Sequence, residues 1–426
     1  MIKISQLMKS IFKFIIGKIL AIKAKQYLCK HHTQVIGITG SIGKTSTKEA
    51  IYKILKDRFN VHSSKKSFNT EFGLSLAVLQ EEKSGFSSPM AWLKILHRVF
   101  FKPKDIYRKM ILEMGADKPG DIKKLVKIAK PNIGIVTFIA PVHLDVGQFN
   151  DVAEIAKEKG TLIKSLSRDG MAILNYDDML IRDMSTSTNK MTFGVTKGAD
   201  VLAKDIKSTS KQLHFTVEYQ GQSQRFSIPV LGKFQIYVFL SSIATALYLG
   251  VSLAECAEAL SDFTLPPGRM NPIAGVNRSM IIDGSYNASP VTTKRALELL
   301  DELNADRKIA ALGTMNELGE ISKEAHLTIG RQASDVADIL VAVGSEAVTI
   351  KQGAIDKGMD ESKIFTFLDS EEAGHFLKNE LGPRDLVLVK GSQNRVRMEK
   401  LVKIIMAQPE KAPQLLCRQS EIWQKI

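Results

Sequence analysis

Short uninterrupted apolar runs along this chain alternate with stretches in which apolar residues return every three or four positions. Runs of the first kind suit strands buried on both faces of a parallel sheet, and the second kind suits helices laid against one. Strand-type runs occur at Val35-Ile36-Gly37-Ile38, Met110-Ile111-Leu112, Ile133-Gly134-Ile135-Val136-Thr137-Phe138 and Met171-Ala172-Ile173-Leu174. Helical spacing follows at Ala50, Ile51, Ile54 and Leu55, and again over 74–79, 152–163 and 238–249. Residues 212–230 alternate one for one around Gln220-Gly221-Gln222, which predicts an antiparallel hairpin. Pro266-Pro267-Gly268-Arg269-Met270 has the composition of a linker. Beyond it the alternation restarts, with strands at 279–283, 308–313, 338–343, 363–367 and 385–389, the pattern of a separate Rossmann-like parallel sheet. The fold class is α/β. A basic N-terminal segment (1–33) precedes a mostly parallel central domain (34–265) and a C-terminal α/β domain (266–426).

The N-terminal segment follows a pattern of its own. Ile4, Leu7, Ile11, Ile15, Ile19 and Ile22 lie three or four apart, with Lys3, Lys9, Lys13, Lys18, Lys23 and Lys25 between them. Its uncharged apolar stretches are far shorter than the roughly 20 residues needed to cross a bilayer. No small-residue cleavage site of a signal peptide follows. Two readings stand: a basic amphipathic helix on an anionic membrane surface, or a helix docking its apolar stripe on the first domain. A second basic amphipathic stretch at 89–108 is better read as a packed helix than as a membrane or partner surface.

Composition narrows the partners. The formal charge of +14 favours anions. No block of Arg and Lys interleaved with stacking aromatics points to nucleic acid. Three widely separated cysteines lack metal spacing and fit a reducing, cytoplasmic setting, with peripheral contact at the inner membrane face open to the N-terminal helix.

The chemistry gathers at predicted strand ends. Gly40-Ser41-Ile42-Gly43-Lys44-Thr45-Ser46 follows the first strand and opens a helix. Such a loop lets backbone N–H groups cradle phosphates while a Lys neutralises them and a hydroxyl ligates Mg²⁺. It reads T-G-x-x-G-K-T, because Ile38 stands where the longer P-loop pattern has its first glycine. Glu113 ends the apolar run at 110–112, where an acid needs a partner, and the carboxyl end of a parallel strand is where ligands bind. His143 follows the run at 133–138. Glu113 is therefore expected to hold Mg²⁺, and His143 is either a second metal or water ligand or a structural histidine. Lys157, Glu158 and Lys159 read as the solvated charged face of the helix at 152–163, and Asp283 to Pro290 as a polar strand-to-helix turn.

Taken in order, several short motifs resemble those of the Mur ligases, most closely the type that joins D-alanyl-D-alanine to a UDP-N-acetylmuramoyl tripeptide. They are residues 37–46, Phe68-Asn69-Thr70-Glu71-Phe72-Gly73, Leu112-Glu113-Met114-Gly115-Ala116, Val142-His143-Leu144 and Ala156-Lys157-Glu158-Lys159-Gly160. Pro267-Gly268-Arg269-Met270, residues 283–290, residues 312–319 and Lys390-Gly391-Ser392 complete the series, which covers residues 34 to about 405. The resemblance implies an ATP-dependent amide ligase using ATP and Mg²⁺. It would phosphorylate a peptidyl carboxylate and pass the acyl group to an amino acid or dipeptide amine. By the same resemblance Lys44 and Thr45 hold phosphate and Mg²⁺, Glu113 and His143 are metal ligands, and Lys159 is carried as a carbamate. Arg269 and Asp283 bring the C-terminal domain onto the γ-phosphate and ribose; Asn69, Tyr286, Asn287, Lys390 and Ser392 contact substrate.

The chain also departs from the family. The residues before 34 replace the N-terminal domain that grips the UDP-sugar, so a lipid-linked or other acceptor is conceivable. Gln235 stands for one of two adenine-binding asparagines and Val238 for the other. Gly284, Ser289 and Thr70 replace an acid and two asparagines. The alternatives are another ligase of the superfamily, polyglutamate or capsule type, and a nucleotide-binding membrane scaffold that no longer catalyses.

Overall fold

A computed structural model describes residues 2–64, 70–81, 89–101, 104–393, 395–420 and 423, with side chains from Phe14 onward. The first sheet holds nine strands: β1 (Gln34–Thr39), β2 (Val61–Ser63), β3 (Lys109–Glu113), β4 (Ile133–Val136), β5 (Met171–Asn175), β6 (Asn189–Gly194), β7 (Val201–Ser208), β8 (Leu213–Tyr219) and β9 (Gln222–Ile228). Their order is β2-β3-β1-β4-β5-β6-β7-β8-β9. Pairing is parallel as far as β7, and β7, β8 and β9 then run antiparallel as the predicted hairpin plus one more strand. The second sheet holds β10 (Asn271–Ala274), β11 (Met280–Gly284), β12 (Arg307–Gly313), β13 (Ile339–Val343), β14 (Ile364–Phe367) and β15 (Asp385–Lys390), ordered β10-β11-β15-β12-β13-β14. All its pairs are parallel except β10 with β11. The linker thus runs directly into an edge strand.

The apolar runs become central strands because both faces of the sheet are covered. Ile36, Ile38, Ile133, Ile135 and Ile173 pack under the P-loop helix α2 (Lys44–Leu55) and the helix Ile236–Tyr248. Val35, Leu112, Val136, Ala172 and Leu174 face the other core, with α1 (Ile2–Lys30), α3 (Glu71–Val78), α4 (Pro89–Phe101), α5 (Asp121–Ile128) and α6 (Val152–Lys164). At roughly 25 cal/mol per Å² of apolar area buried, these two faces supply most of the drive to fold.

The N-terminal helix docks. Its inward stripe is Ile16, Leu20, Ala24, Tyr27 and Leu28, buried against α3. The stripe expected from sequence lies elsewhere, for Ile15 and Ile22 are exposed. Both sets have helical spacing, and α3, where Phe72 lies against Gly17, selects one of them. Ile4, Leu7 and Ile11 carry side chains outside the described ones. Within the stretch at 89–108, residues 89–101 form the packed helix α4, which buries Trp92, Ile95 and Val99 yet leaves Leu93, Phe100 and Phe101 exposed.

Candidate active site

Parallel register brings the site together. β1 lies between β3 and β4, so Ile38 pairs with Glu113 and Thr39 with Val136. The chain then turns through Gly40 (φ +143°) and Gly43 (φ +87°), both needing glycine. A Cβ on Gly40 would lie 2.0 Å from Thr137 Oγ1. Thr137 Oγ1 donates to Ile42 O at 2.6 Å, and Ser41 Oγ donates to Ala140 O at 3.1 Å, so the loop is fixed from β4. Lys44 Nζ folds back to Gly40 O at 2.7 Å. Burial lowers its pKa, and Arg269 adds to the shift against Glu113.

The hydroxyl of Thr45 donates to Glu113 Oε2 at 3.2 Å and accepts from Arg269 Nη2 at 2.9 Å. Two of the three predicted metal ligands, Thr45 and Glu113, and the predicted C-terminal arginine therefore meet on one oxygen. Glu113 Oε1 is enclosed and accepts no hydrogen bond, and Arg269 Nε likewise has no partner. An enclosed carboxylate oxygen beside a hydroxyl fits a hard cation such as Mg²⁺, and an unpaired guanidinium nitrogen fits a phosphate oxygen. Among the described residues no three His, Cys, Asp or Glu side chains form a ready-made metal cluster.

Sequence reading missed Lys48, which is fully buried one turn along α2 from Thr45. Its ammonium donates to Ser64 O and lies 3.4 Å from Glu113 Oε1 and 3.2 Å from Glu49. A lysine amid helix polar residues looks solvated, and the partners that bury it, Ser64 and Glu113, are distant in sequence. The solvated-face reading of 157–159 holds for Lys157, which is exposed, and is corrected for Glu158 and Lys159, the latter only 1 % exposed. Glu158 accepts from Gly120 N (2.9 Å) and Ile122 N (2.7 Å), capping α5, and this burial turns Lys159 inward. Burial, and then the Lys44 charge, lower the Lys159 pKa to about 7.

His143 adopts φ 58° and stands between Glu317 (2.6 Å from Nδ1) and Asp117 (3.6 Å from Nε2). It is not gathered against Glu113. Glu317, itself at φ 61°, is held below its ordinary pKa by the His143 contact. Leu144 N donates to Glu317 O and Gly319 N to Asp145 Oδ1, both at 2.9 Å. The loop after β4 and the loop after β12 therefore latch the two sheets together.

In the C-terminal sheet, adjacent β11, β15 and β12 bring their carboxyl ends together. Lys390 Nζ donates to Gly284 O (3.3 Å) and Asn287 O, and burial lowers its pKa to about 7. Ser392 Oγ donates to Ala288 O (3.1 Å), and Asn287 Oδ1 accepts from Gln393 N (3.2 Å). Asp283 Oδ1 accepts from Ser285 N (3.0 Å) while Oδ2 is unpaired, and burial raises the carboxyl pKa to about 6. Tyr286 stacks on Arg269, its ring centroid 4.2 Å from the guanidinium.

The departures from the family pattern have local reasons. A Cβ on Gly284 would meet Met270 Sδ at 2.8 Å and Val389 O at 3.2 Å, so an acid there would require its neighbours to shift. Ser289 caps the helix Pro290–Glu302, and Thr70 caps α3 by accepting from Gly73 N. Val238 packs 3.8 Å from the Cβ position of Gly43, and Gln235 is buried in the turn before it. Asn69 lies outside the described residues.

Comparison with known proteins agrees with this geometry. The Mur ligase middle domain matches residues 38–246, and the Mur ligase glutamate ligase domain matches residues 268–393. A UDP-N-acetylmuramoyl-tripeptide--D-alanyl-D-alanine ligase of Bacillus subtilis is 29 % identical over 91 % of this chain and 79 % of its own length. One from Mycobacterium leprae is 30 % identical over 84 % of this chain and 71 % of its own. The crystal structure of the MurF ligase from Thermotoga maritima in complex with ADP superposes with a TM-score of 0.77 at 27 % identity, covering 93 % of this chain and 84 % of that one. With both domains matched and the P-loop facing Arg269, the chain belongs to the Mur ligase family of ATP-dependent ligases.

Proposed function

We propose that the protein adds D-alanyl-D-alanine to a muramyl-peptide precursor in peptidoglycan synthesis, with residues 34–265 binding ATP and residues 266–426 closing over it. The observation that carries the reading is the meeting of Arg269, Thr45 and Glu113 on one hydroxyl at the P-loop. The acceptor carboxylate oxygen attacks the γ-phosphorus, its bond to the bridging oxygen breaks, and ADP leaves. The dipeptide amine then attacks the acyl carbon, loses a proton, and inorganic phosphate departs through a tetrahedral intermediate. Lys44 and Arg269 neutralise the phosphate charge, and the loop glycines fix its approach. Thr45 and Glu113 would hold Mg²⁺, and the ion would supply further charge neutralisation at the transferring phosphoryl group, while His143, a metal ligand by family resemblance, pairs with Glu317. Lys159 has the half-neutral amine that carbamate formation needs, since only the unprotonated amine attacks CO₂. Gln235 belongs to the adenine side, Asp283 to the ribose side. Asn69, Tyr286, Asn287, Lys390 and Ser392 are assigned to substrate.

Phosphate release should require ATP, UDP-N-acetylmuramoyl tripeptide and D-alanyl-D-alanine together. Release stimulated only by a different amine would sink this reading in favour of another ligase of the superfamily.

Peripheral membrane contact is part of the proposal. No acidic residue occurs before Glu49, and none occurs in α4. The outer side of α1 exposes Phe14, Ile15 and Ile22, and α4 exposes Leu93, Phe100 and Phe101. Lys23 Nζ lies 4.6 Å from the Phe100 ring and joins the two helices. Apolar side chains flanked by unopposed lysines match an anionic bilayer surface. No helix among the described residues is long and apolar enough to cross a membrane. Phosphatidylglycerol vesicles should sediment the full chain and release the Leu93→Glu/Phe101→Glu variant. Equal sedimentation of both, or a dimer that the variant dissociates without any vesicle binding, would reject it.

A further inference from the structure

Beyond residue 405 the chain forms a strap that the matched family domains do not include. After Ala407 N donates to Ala274 O at the edge of the second sheet, Ala412 and Leu416 are buried in its core. The strap then delivers Cys417 and Arg418 behind the loop that follows β11. Arg418 is held on every side. Its Nη1 donates to Ser285 O at 3.2 Å and to Glu399 Oε2 at 3.0 Å, and its Nη2 donates to Tyr286 O. Its guanidinium carbon lies 5.2 Å from the Tyr286 ring and 5.7 Å from the Trp423 ring. Glu399, 1 % exposed, also accepts from Arg397. Cys417 Sγ lies 3.6 Å from Ser285 Oγ and 3.1 Å from the Cβ position of Gly268. The backbone of Arg418 has φ 57°, a strained value for a non-glycine residue that surrounding contacts must enforce.

This arrangement serves one neighbour. Tyr286 is approached by two guanidinium groups, Arg418 from the strap and Arg269 from the P-loop side at 4.2 Å. Arg269 has one side-chain hydrogen bond, to Thr45, and an unpaired buried Nε, so the Tyr286 ring is its lateral support. Two carbonyls clamped by Arg418 bracket the ring's own backbone. A cation over an aromatic face is attracted by the ring's negative face, which biases the orientation of a half-buried side chain.

We propose that Arg418 is a positioning residue for Arg269, acting through Tyr286, and that the strap thereby sets the enzyme's preference for a nucleoside triphosphate over a diphosphate. The inference rests on Arg269 facing the γ-phosphate and is independent of which acceptor the ligase uses.

Calorimetric titration of the full chain with magnesium AMP-PNP and with magnesium ADP measures that preference without turnover. Arg269→Ala should lower it about tenfold, the weight of one charge-assisted contact. Arg418→Met should lower it several-fold, with ADP affinity held within about twofold, and the Arg269→Ala/Arg418→Met pair should lose no more than Arg269→Ala alone. Arg418→Lys keeps a cation beside Glu399 but cannot clamp two carbonyls, and should fall between. If Arg418→Met does not fold, Arg418→Lys carries the same cycle. An unchanged preference in either Arg418 variant, additive losses in the pair, or equal weakening of both nucleotides would overturn the proposal. An unchanged preference in Arg269→Ala would overturn the γ-phosphate assignment and this inference with it. Absent D-alanyl-D-alanine-dependent turnover would instead count against the substrate reading alone.

Discussion

Asp283 shows how one residue carries both a cost and a purpose. It is fully buried at the end of β11 with one oxygen unpaired, and its pKa is raised to about 6, against about 3.9 for a free aspartate. The folded state therefore holds the proton more tightly than the unfolded chain. The associated stability is complete below the unfolded pKa and is lost as pH rises through 6. Asp283→Asn, uncharged throughout, should exceed the wild type by on the order of 2 kcal/mol at pH 8, with the gap closing near pH 4. Urea denaturation at the two pH values measures it, and an equal gap at both would contradict the burial account. At this scale Lys44 and Thr45 were legible because a P-loop is written in consecutive residues, and Glu113 because an acid ends an apolar run. Lys48 and Arg418 were not, since only long-range partners, such as Tyr286 at a separation of 132 residues, distinguish them from surface cations.

Elements were legible where the core covers both faces. Strands β1, β3, β4 and β5 and the parallel strands of the second sheet followed from their apolar runs, whereas β6 and β7, whose polar residues break the run, and the three residues of β2 and four of β10, at sheet edges, were not legible. Which stripe of α1 docks was not legible, because two apolar stripes share helical spacing and only tertiary packing chooses between them. Capping is a sharper local signal. Thr70 accepts from Gly73 N at 3.2 Å at the start of α3. Thr70→Ala should cost about 1 kcal/mol in thermal denaturation, while Thr70→Asn, the residue usual in the family, should be near neutral. A stability loss of similar size in both would mean that the cap is not the operative contact.

The way the two sheets are joined was the least legible feature, because every latch pairs residues far apart in the chain. Leu144 with Glu317, Asp145 with Gly319 and Thr45 with Arg269 hold the assembly closed over the P-loop. The composition at 266–270 marked a linker, and only the family resemblance implied closure; neither carried the contacts. His143 and Glu317 meet with both backbones at positive φ, strain that only the closed arrangement repays. Glu317→Ala should loosen the latch, enlarging the radius of gyration in small-angle scattering and lowering kcat about tenfold. A compact particle with undiminished turnover would show the latch to be incidental.

The contact between Thr45 and Arg269 spans 224 residues. Ribosomes add roughly 5–20 residues per second, so about ten to forty-five seconds separate the emergence of these two partners. During that interval the nascent first unit can fold and hold a nucleotide, yet it cannot act on it. A message cut short between the two codons would thus yield a polypeptide that sequesters ATP without spending it.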